Sequence, residues 1–87
     1  MTATLPCPQP HVIATDFESG EGVLIDINAK RYYQLNETAL LVWRGLEAGK
    51  QLPEIVAELV ASYEVSAEQA TMSVMRLLRD FYALRLV

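Results

Sequence analysis

Three side chains near the N-terminus carry the groups that a covalent catalyst needs: the thiol of Cys7, the imidazole of His11 and the carboxylate of Asp16. A nucleophile and its base must be held within hydrogen-bond reach on a rigid scaffold, with a third group orienting the base. Cys7 lies instead between Pro6 and Pro8, in a segment without a periodic pattern. We therefore expect no catalytic site and predict that the protein is not an enzyme.

The same residues offer little to a metal ion or a cofactor. Cys7 has no second thiol with which to form a disulfide, and no cluster of metal-ligating residues stands beside it. The sequence also has no glycine-rich phosphate loop. We expect the protein to bind no cofactor and no metal.

Length and composition predict one folded domain. The chain has 87 residues, of which 52% are hydrophobic and 21% charged, values typical of a globular protein with a single core. No apolar run approaches the ~20 residues that cross a bilayer, and residues 1–10 lack the basic and apolar parts of a secretion signal. We expect a cytoplasmic protein without a membrane partner. The net charge of −4 also disfavours nucleic acid, because phosphate binding needs a cationic face.

The order of the elements predicts an α+β fold of winged helix-turn-helix type, in which a three-stranded antiparallel sheet precedes three helices. Residues 1–10 contain three prolines and predict a flexible N-terminal arm, so that residues 11–87 form the domain. The strands are predicted at His11–Phe17, Gly22–Ile27 and Lys30–Leu35. Asn28 and Ala29 predict a tight turn between the last two strands, because asparagine tolerates a left-handed backbone.

Capping residues predict where the first two helices begin. Asn36 is a good N-cap for a helix of residues 37–48 that ends before Gly49. Its predicted core positions are Ala39, Val42, Trp43 and Leu46. A second helix is predicted to open at Pro53, with inward positions Ile55, Val56, Leu59, Val60 and Tyr63.

The third helix carries two apolar stripes. Ser66 and Gln69 form a capping box at its start, and the helix is predicted to end near Tyr82. The predicted core stripe is Ala70, Val74, Leu77, Phe81 and Leu84. A weaker stripe beside it is Thr71, Met75, Leu78 and Tyr82. Since one stripe suffices to hold a helix to a core, the second suggests that this helix has a further surface to cover.

The segment 22–39 resembles the PqqD-like family of peptide chaperones, the recognition elements of ribosomally synthesised and modified peptide pathways. The family pattern is a strand, a short turn, an aromatic strand ending in Leu-Asn, a step of small residues and an aliphatic helix with tryptophan. Here the matching residues are Tyr32, Tyr33, Leu35, Asn36, Thr38, Ala39 and Trp43. The resemblance spans residues 12–87. Family members often end in Gly-Leu after the last helix, whereas this chain ends Ala83-Leu84-Arg85-Leu86-Val87.

The resemblance implies that the protein binds the leader of a precursor peptide and delivers it to a modifying enzyme or a leader peptidase/cyclase. Small stand-alone members of the family resemble the recognition half of split lasso-peptide systems, so the resemblance favours a lasso-peptide pathway. The leader would add as an antiparallel strand in a groove between the third strand and the third helix. The residues expected to bind it are Lys30, Arg31, Tyr32, Tyr33, Gln34, Leu35, Thr71, Met75, Leu78, Arg79 and Tyr82. Which of the two tyrosines faces the groove depends on a strand register that the sequence does not fix.

Charge placement is compatible with this function. Five of the seven basic residues fall in or beside the third strand or from the third helix onward: Lys30, Arg31, Arg76, Arg79 and Arg85. A cationic rim would favour an acidic leader, and loss of binding on Arg79→Glu would support this hypothesis.

Two other functions are compatible with the same elements. The second and third helices could form a DNA-binding pair, although Glu68 and Asp80 accompany Arg76 and Arg79 on the helix that would enter the groove. The domain could also form a homodimer, through an edge strand or by exchange of the N-terminal arm.

Overall fold

The structure is a computed structural model and describes residues 5–87. Its elements are β1 (Val12–Asp16), β2 (Gly22–Asp26), β3 (Arg31–Leu35), α1 (Glu37–Glu47), α2 (Leu52–Ser62) and α3 (Ala67–Ala83). This order confirms the α+β prediction of three antiparallel strands followed by three helices. No helix in the described part of the chain is long and apolar enough to cross a membrane.

The sheet has the strand order β1-β2-β3, so that β3 is an edge strand. Asp26, the last residue of β2, pairs with Arg31, the first residue of β3. The loop therefore holds four residues, 27–30, and the predicted tight turn at Asn28 and Ala29 is too short. The left-handed residue is Lys30, with φ +57°. The carboxylate of Asp26 accepts the Ala29 N–H at 3.0 Å and fixes the loop.

The structure confirms two of the predicted helix caps, those at Asn36 and Ser66. The side chain of Asn36 accepts the Ala39 N–H at 2.8 Å, which begins α1 directly after β3. Ser66 and Gln69 form the predicted capping box of α3. Because Asn36 joins β3 to α1 without a loop, the end of the third strand lies directly beside the start of the first helix.

The core lies between the inner face of the sheet and the three helices. Leu24, Trp43 and Ile55 are fully buried there. The ring of Trp43 meets Phe81 edge to face, with centroids 5.2 Å apart, and so joins α1 to α3. Helix α2 packs closely on α1 at Gly45, where an added Cβ would lie 2.8 Å from the Ile55 side chain.

Two helix faces differ from the sequence prediction. In α2, Val60 is exposed rather than inward, and the buried residues are Ile55 and Leu59. In α3, Leu78 is buried, whereas Leu77 is half-buried and Leu84 is exposed. The core stripe of α3 is therefore Ala70, Val74, Leu78 and Phe81. Both apolar stripes suit a helix, and only its rotation about its axis decides which one faces the core.

The C-terminus closes the fold through an unusual turn. Arg85 follows α3 with φ +58°. The Leu86 N–H donates to the Phe81 carbonyl at 2.9 Å, and the Arg85 N–H donates to the Tyr82 carbonyl at 3.0 Å. This is the pattern of a Schellman motif, in which glycine usually takes the left-handed position. It returns Leu86 to the core, where it is fully buried.

The predicted N-terminal arm of residues 1–10 falls partly outside the described residues, which begin at position 5. Within the described part, Leu5 packs against the core. The backbone N–H of Gln9 donates to the Leu86 carbonyl at 2.9 Å. Residues 5–10 thus contact the domain beside its C-terminus.

Candidate functional site

An apolar groove runs between β3 and α3. Its strand wall is residues 32–35, and its helix wall is Leu77, Asp80, Phe81 and Leu84. Beyond the wall, the outer backbone edge of β3 is open. In the described chain, no backbone hydrogen bond joins β3 to an element other than β2. The groove therefore offers unpaired main-chain groups beside an apolar surface, the two features that an extended peptide needs.

The register assigns the two tyrosines to opposite faces. Tyr33 pairs with the fully buried Leu24 and is itself half-buried, so its ring lies on the groove side. Tyr32 pairs with Ile25 and is 75% exposed, so its ring lies on the outer face of the sheet. The inner ring can contact a ligand in the groove, whereas the outer ring cannot.

The groove continues past Tyr33 into a polar end. Tyr33 and Leu84 line both parts, and Arg31, Arg85 and His11 line the polar one. Asp26, which is 5% exposed, forms part of its floor. The His11 Nε2 lies 3.7 Å from the Asp26 Oδ1. The groove is thus apolar along most of β3 and positively charged near the start of the strand.

The structure places several predicted site residues away from this groove. Thr71, Met75 and Arg79 line a separate concave surface with Met72 and Arg76. Leu78 is in the core, and Tyr82 is 59% exposed outside the groove. Lys30 is exposed in the β2–β3 loop. The predicted residues whose side chains lie on the groove side are Arg31, Tyr33 and Leu35. Tyr32 and Gln34 also border the groove, but strand alternation puts their side chains on the outer face of the sheet.

The helix wall was missed because α3 has apolar residues on both flanks of its core stripe. Leu77, Asp80 and Leu84 are three and four residues apart and form the flank that faces β3. Met75 and Arg79 form part of the opposite flank. The three- and four-residue spacing of side chains occurs on both flanks of α3, so it does not indicate which flank faces β3. The side on which β3 lies is set by the tertiary fold.

The three N-terminal groups with catalytic chemistry are not assembled. Asp16 forms an ion pair with Arg44, whereas His11 precedes the other end of β1 and contacts Asp26. Cys7 is exposed. Hydrogen bonds to Glu47 and to Asp16 raise the pKa of Arg44, and its exposed ion pair with Asp16 joins α1 to β1. Within residues 5–87, no group of three or more potential ligands could hold a metal ion.

The family model described as "Coenzyme PQQ synthesis protein D (PqqD)" matches residues 21–87, which include both walls of the groove. The chain belongs to the PqqD family. This confirms the resemblance seen in residues 22–39. A search of curated proteins found no significant match.

Two solved structures share the fold of this PqqD-family chain. One is TbiB1 in complex with the TbiA(β) leader peptide, with a TM-score of 0.84 and 25% identity over 93% of each chain. The other is lasso peptide synthetase B1 complexed with the leader peptide, with a TM-score of 0.78 and 26% identity. It covers 87% of this chain and 88% of that one. Both relatives were solved with a leader peptide bound.

Proposed function

We propose that this protein is the leader-binding component of a ribosomal peptide modification pathway. The leader of the precursor adds as an antiparallel strand to the free edge of β3, and the protein delivers it to a modifying enzyme or leader peptidase. The observation that carries this proposal is the open edge of β3 beside the apolar groove. The leader complexes of the two solved relatives support it and favour a lasso-peptide pathway.

Strand addition explains both affinity and selectivity. Main-chain hydrogen bonds to the β3 edge bind any extended peptide, and alternate side chains of that peptide then point into the groove. The half-buried Tyr33 and Leu77 offer these side chains an apolar contact. Antiparallel pairing also fixes direction. The N-terminal end of the leader strand lies near Leu35, and its C-terminal end lies near Arg31.

The other edge strand, β1, is a weaker candidate. It lies across the sheet from β3, and the groove with apolar walls on both strand and helix is on the β3 side. An extended peptide at β1 would have main-chain partners but no comparable helix wall.

Precursors are made on ribosomes, so we place this function in the cytoplasm.

Hydrogen exchange tests the mode of binding. With the leader encoded beside this chain's gene, backbone amides of residues 31–35 are expected to exchange more slowly, because a new strand covers the β3 edge. Amides of β1 serve as the internal control and are expected to change little. Slower exchange in β1 with none in β3 would refute addition at β3. Slower exchange in β3 without any peptide, at high protein concentration, would indicate a homodimer instead.

Delivery needs a second surface, and the outer face of the sheet is our candidate for it. Ile13, Ile25 and Tyr32 form a cross-strand row in register. Ile13 is 48% and Tyr32 75% exposed. The row ends at Tyr32 on β3, so a leader strand added to β3 would extend the row by one side chain. We therefore propose that the modifying enzyme or peptidase docks on this outer face, where it contacts the protein and the bound leader together.

The substitution Ile13→Glu separates delivery from leader binding. A carboxylate in the outer row would be desolvated by a docked enzyme, so leader processing is expected to fall by more than about tenfold. Leader affinity is expected to stay within about twofold, because Ile13 is on the strand farthest from the groove. Val60→Glu, which adds the same charge at an exposed apolar residue of α2, is the matched control and is expected to leave leader processing unchanged. Normal processing by the Ile13 variant would exclude this docking surface.

A further inference from the structure

Two arginines converge at the polar end of the groove. Arg31 is the first residue of β3, and Arg85 follows the end of α3 on the opposite wall. Neither is paired with a carboxylate in the part of the chain that the structure describes. Two arginines that line one cavity could bind a carboxylate there, because the guanidinium group donates well to carboxylate oxygens.

The backbone at Arg85 is an independent indication of function. Its φ of +58° is a left-handed conformation that side chains other than glycine adopt at a cost. Glycine would satisfy the same C-terminal turn without that cost. Arginine at this position instead puts a cationic residue in the lining of the polar end of the groove. A residue other than glycine in this conformation motivates a hypothesis of function at Arg85.

The buried Asp26 offsets only part of this positive charge. Its carboxylate already accepts the Ala29 N–H and lies 3.7 Å from His11. Asp26 thus fixes the loop that precedes Arg31, while both arginines remain available. Against this one carboxylate, the cavity has two guanidinium groups.

We propose that Arg31 and Arg85 form a subsite that selects leaders carrying an aspartate or glutamate at the C-terminal end of the added strand. This inference rests on the proposed function, because the antiparallel direction places that end of the leader beside Arg31. It also changes the basis for preferring an acidic leader. Arg79 lines a different surface, and selection for acid is instead a property of one end of the groove.

A peptide library tests the subsite without knowledge of the natural leader. The full chain is used to select binders from random 15-residue peptides displayed on phage. The selected sequences are expected to share apolar positions with one acidic position on their C-terminal side. A selected peptide and its Glu→Gln form are then compared by fluorescence anisotropy. The neutral form is expected to bind about three- to tenfold more weakly, because it loses charge-assisted hydrogen bonds at a partly exposed site.

Three variants test whether Arg31 and Arg85 cause the difference in affinity between the two peptides. Arg85→Gly and Arg31→Gln are each expected to reduce the difference between the two peptides to less than about twofold. Arg85→Gly keeps or raises the melting temperature, since glycine favours the left-handed turn, so its loss of selection cannot reflect unfolding. Arg79→Gln, on the other flank of α3, makes the same change in charge and is expected to keep the full difference.

The outcomes separate the subsite from the proposed function. Selection of apolar peptides without an acidic position would overturn the subsite and leave leader binding intact. An acid preference that survives in both Arg85→Gly and Arg31→Gln would also overturn it. Failure to select any peptide, with a folded protein, would count against strand addition itself.

Discussion

Replacing Trp43 by alanine is expected to destabilise the protein by about 3–5 kcal/mol, the usual result of removing a buried aromatic side chain. Trp43 is fully buried and contacts Phe81 edge to face. A domain of this size has only about 5–15 kcal/mol of stability in total. The midpoint of thermal unfolding, followed by circular dichroism, is expected to fall by about 20 °C. At temperatures where the variant unfolds, leader binding is expected to be lost, because the groove wall that includes Phe81 is lost with the fold.

Trp43→Phe is the matched control. It keeps an aromatic ring against Phe81 and removes an indole N–H that has no hydrogen-bond partner in the structure. The loss of volume and the removal of an unsatisfied donor partly offset each other. The expected destabilisation is about 1–2 kcal/mol. If Trp43→Ala destabilised the protein no more than Trp43→Phe, the contact between α1 and α3 would not be central to the core.

Replacing Leu77 by glutamate is expected to weaken leader binding by about 100-fold, with the fold retained. Leu77 is half-buried on the helix wall and faces β3. A leader side chain that covers an apolar residue gains about 1.5–3 kcal/mol. A carboxylate at this position would instead lose its water when the leader binds. Fluorescence anisotropy with a labelled leader measures the change, and circular dichroism verifies the fold.

Met75→Glu is the control on the same helix. Met75 is 52% exposed and lines a different surface from the groove. Its substitution adds the same charge two residues away and is expected to change leader affinity by less than about twofold. Strong loss of binding by the Met75 variant, with little effect of the Leu77 variant, would move the peptide site to the other flank of α3.

Features that depend on a few neighbouring residues could be predicted from the sequence. Asn36 caps α1, and Ser66 with Gln69 caps α3, because capping needs only a side chain and backbone amides two or three residues away. The core face of α1 around Trp43 was predicted for a similar reason. All four predicted core positions, Ala39, Val42, Trp43 and Leu46, are buried, and Leu40 beside them is buried as well.

Features that depend on how elements meet could not be predicted. Helix α3 has apolar side chains on both flanks, and only its packing against β3 places Leu77 rather than Met75 in the groove. Tyr33 rather than Tyr32 faces inward because Tyr33 shares a sheet face with the buried Leu24, and only the packing of the helices decides which sheet face is inner. Arg85 has a left-handed backbone that no local pattern indicates. The sequence prediction therefore included residues 32–35 on the strand wall of the groove and no residue of its helix wall.

Leader binding itself is tested most directly by titrating the full chain with the fluorescently labelled leader encoded beside its gene. The protein is expected to bind this peptide with a Kd of about 1 µM or tighter, about −8 kcal/mol, and Leu77→Glu is expected to abolish most of that affinity. No rise in anisotropy at a protein concentration of about 100 µM, with the fold verified, would contradict the proposed function.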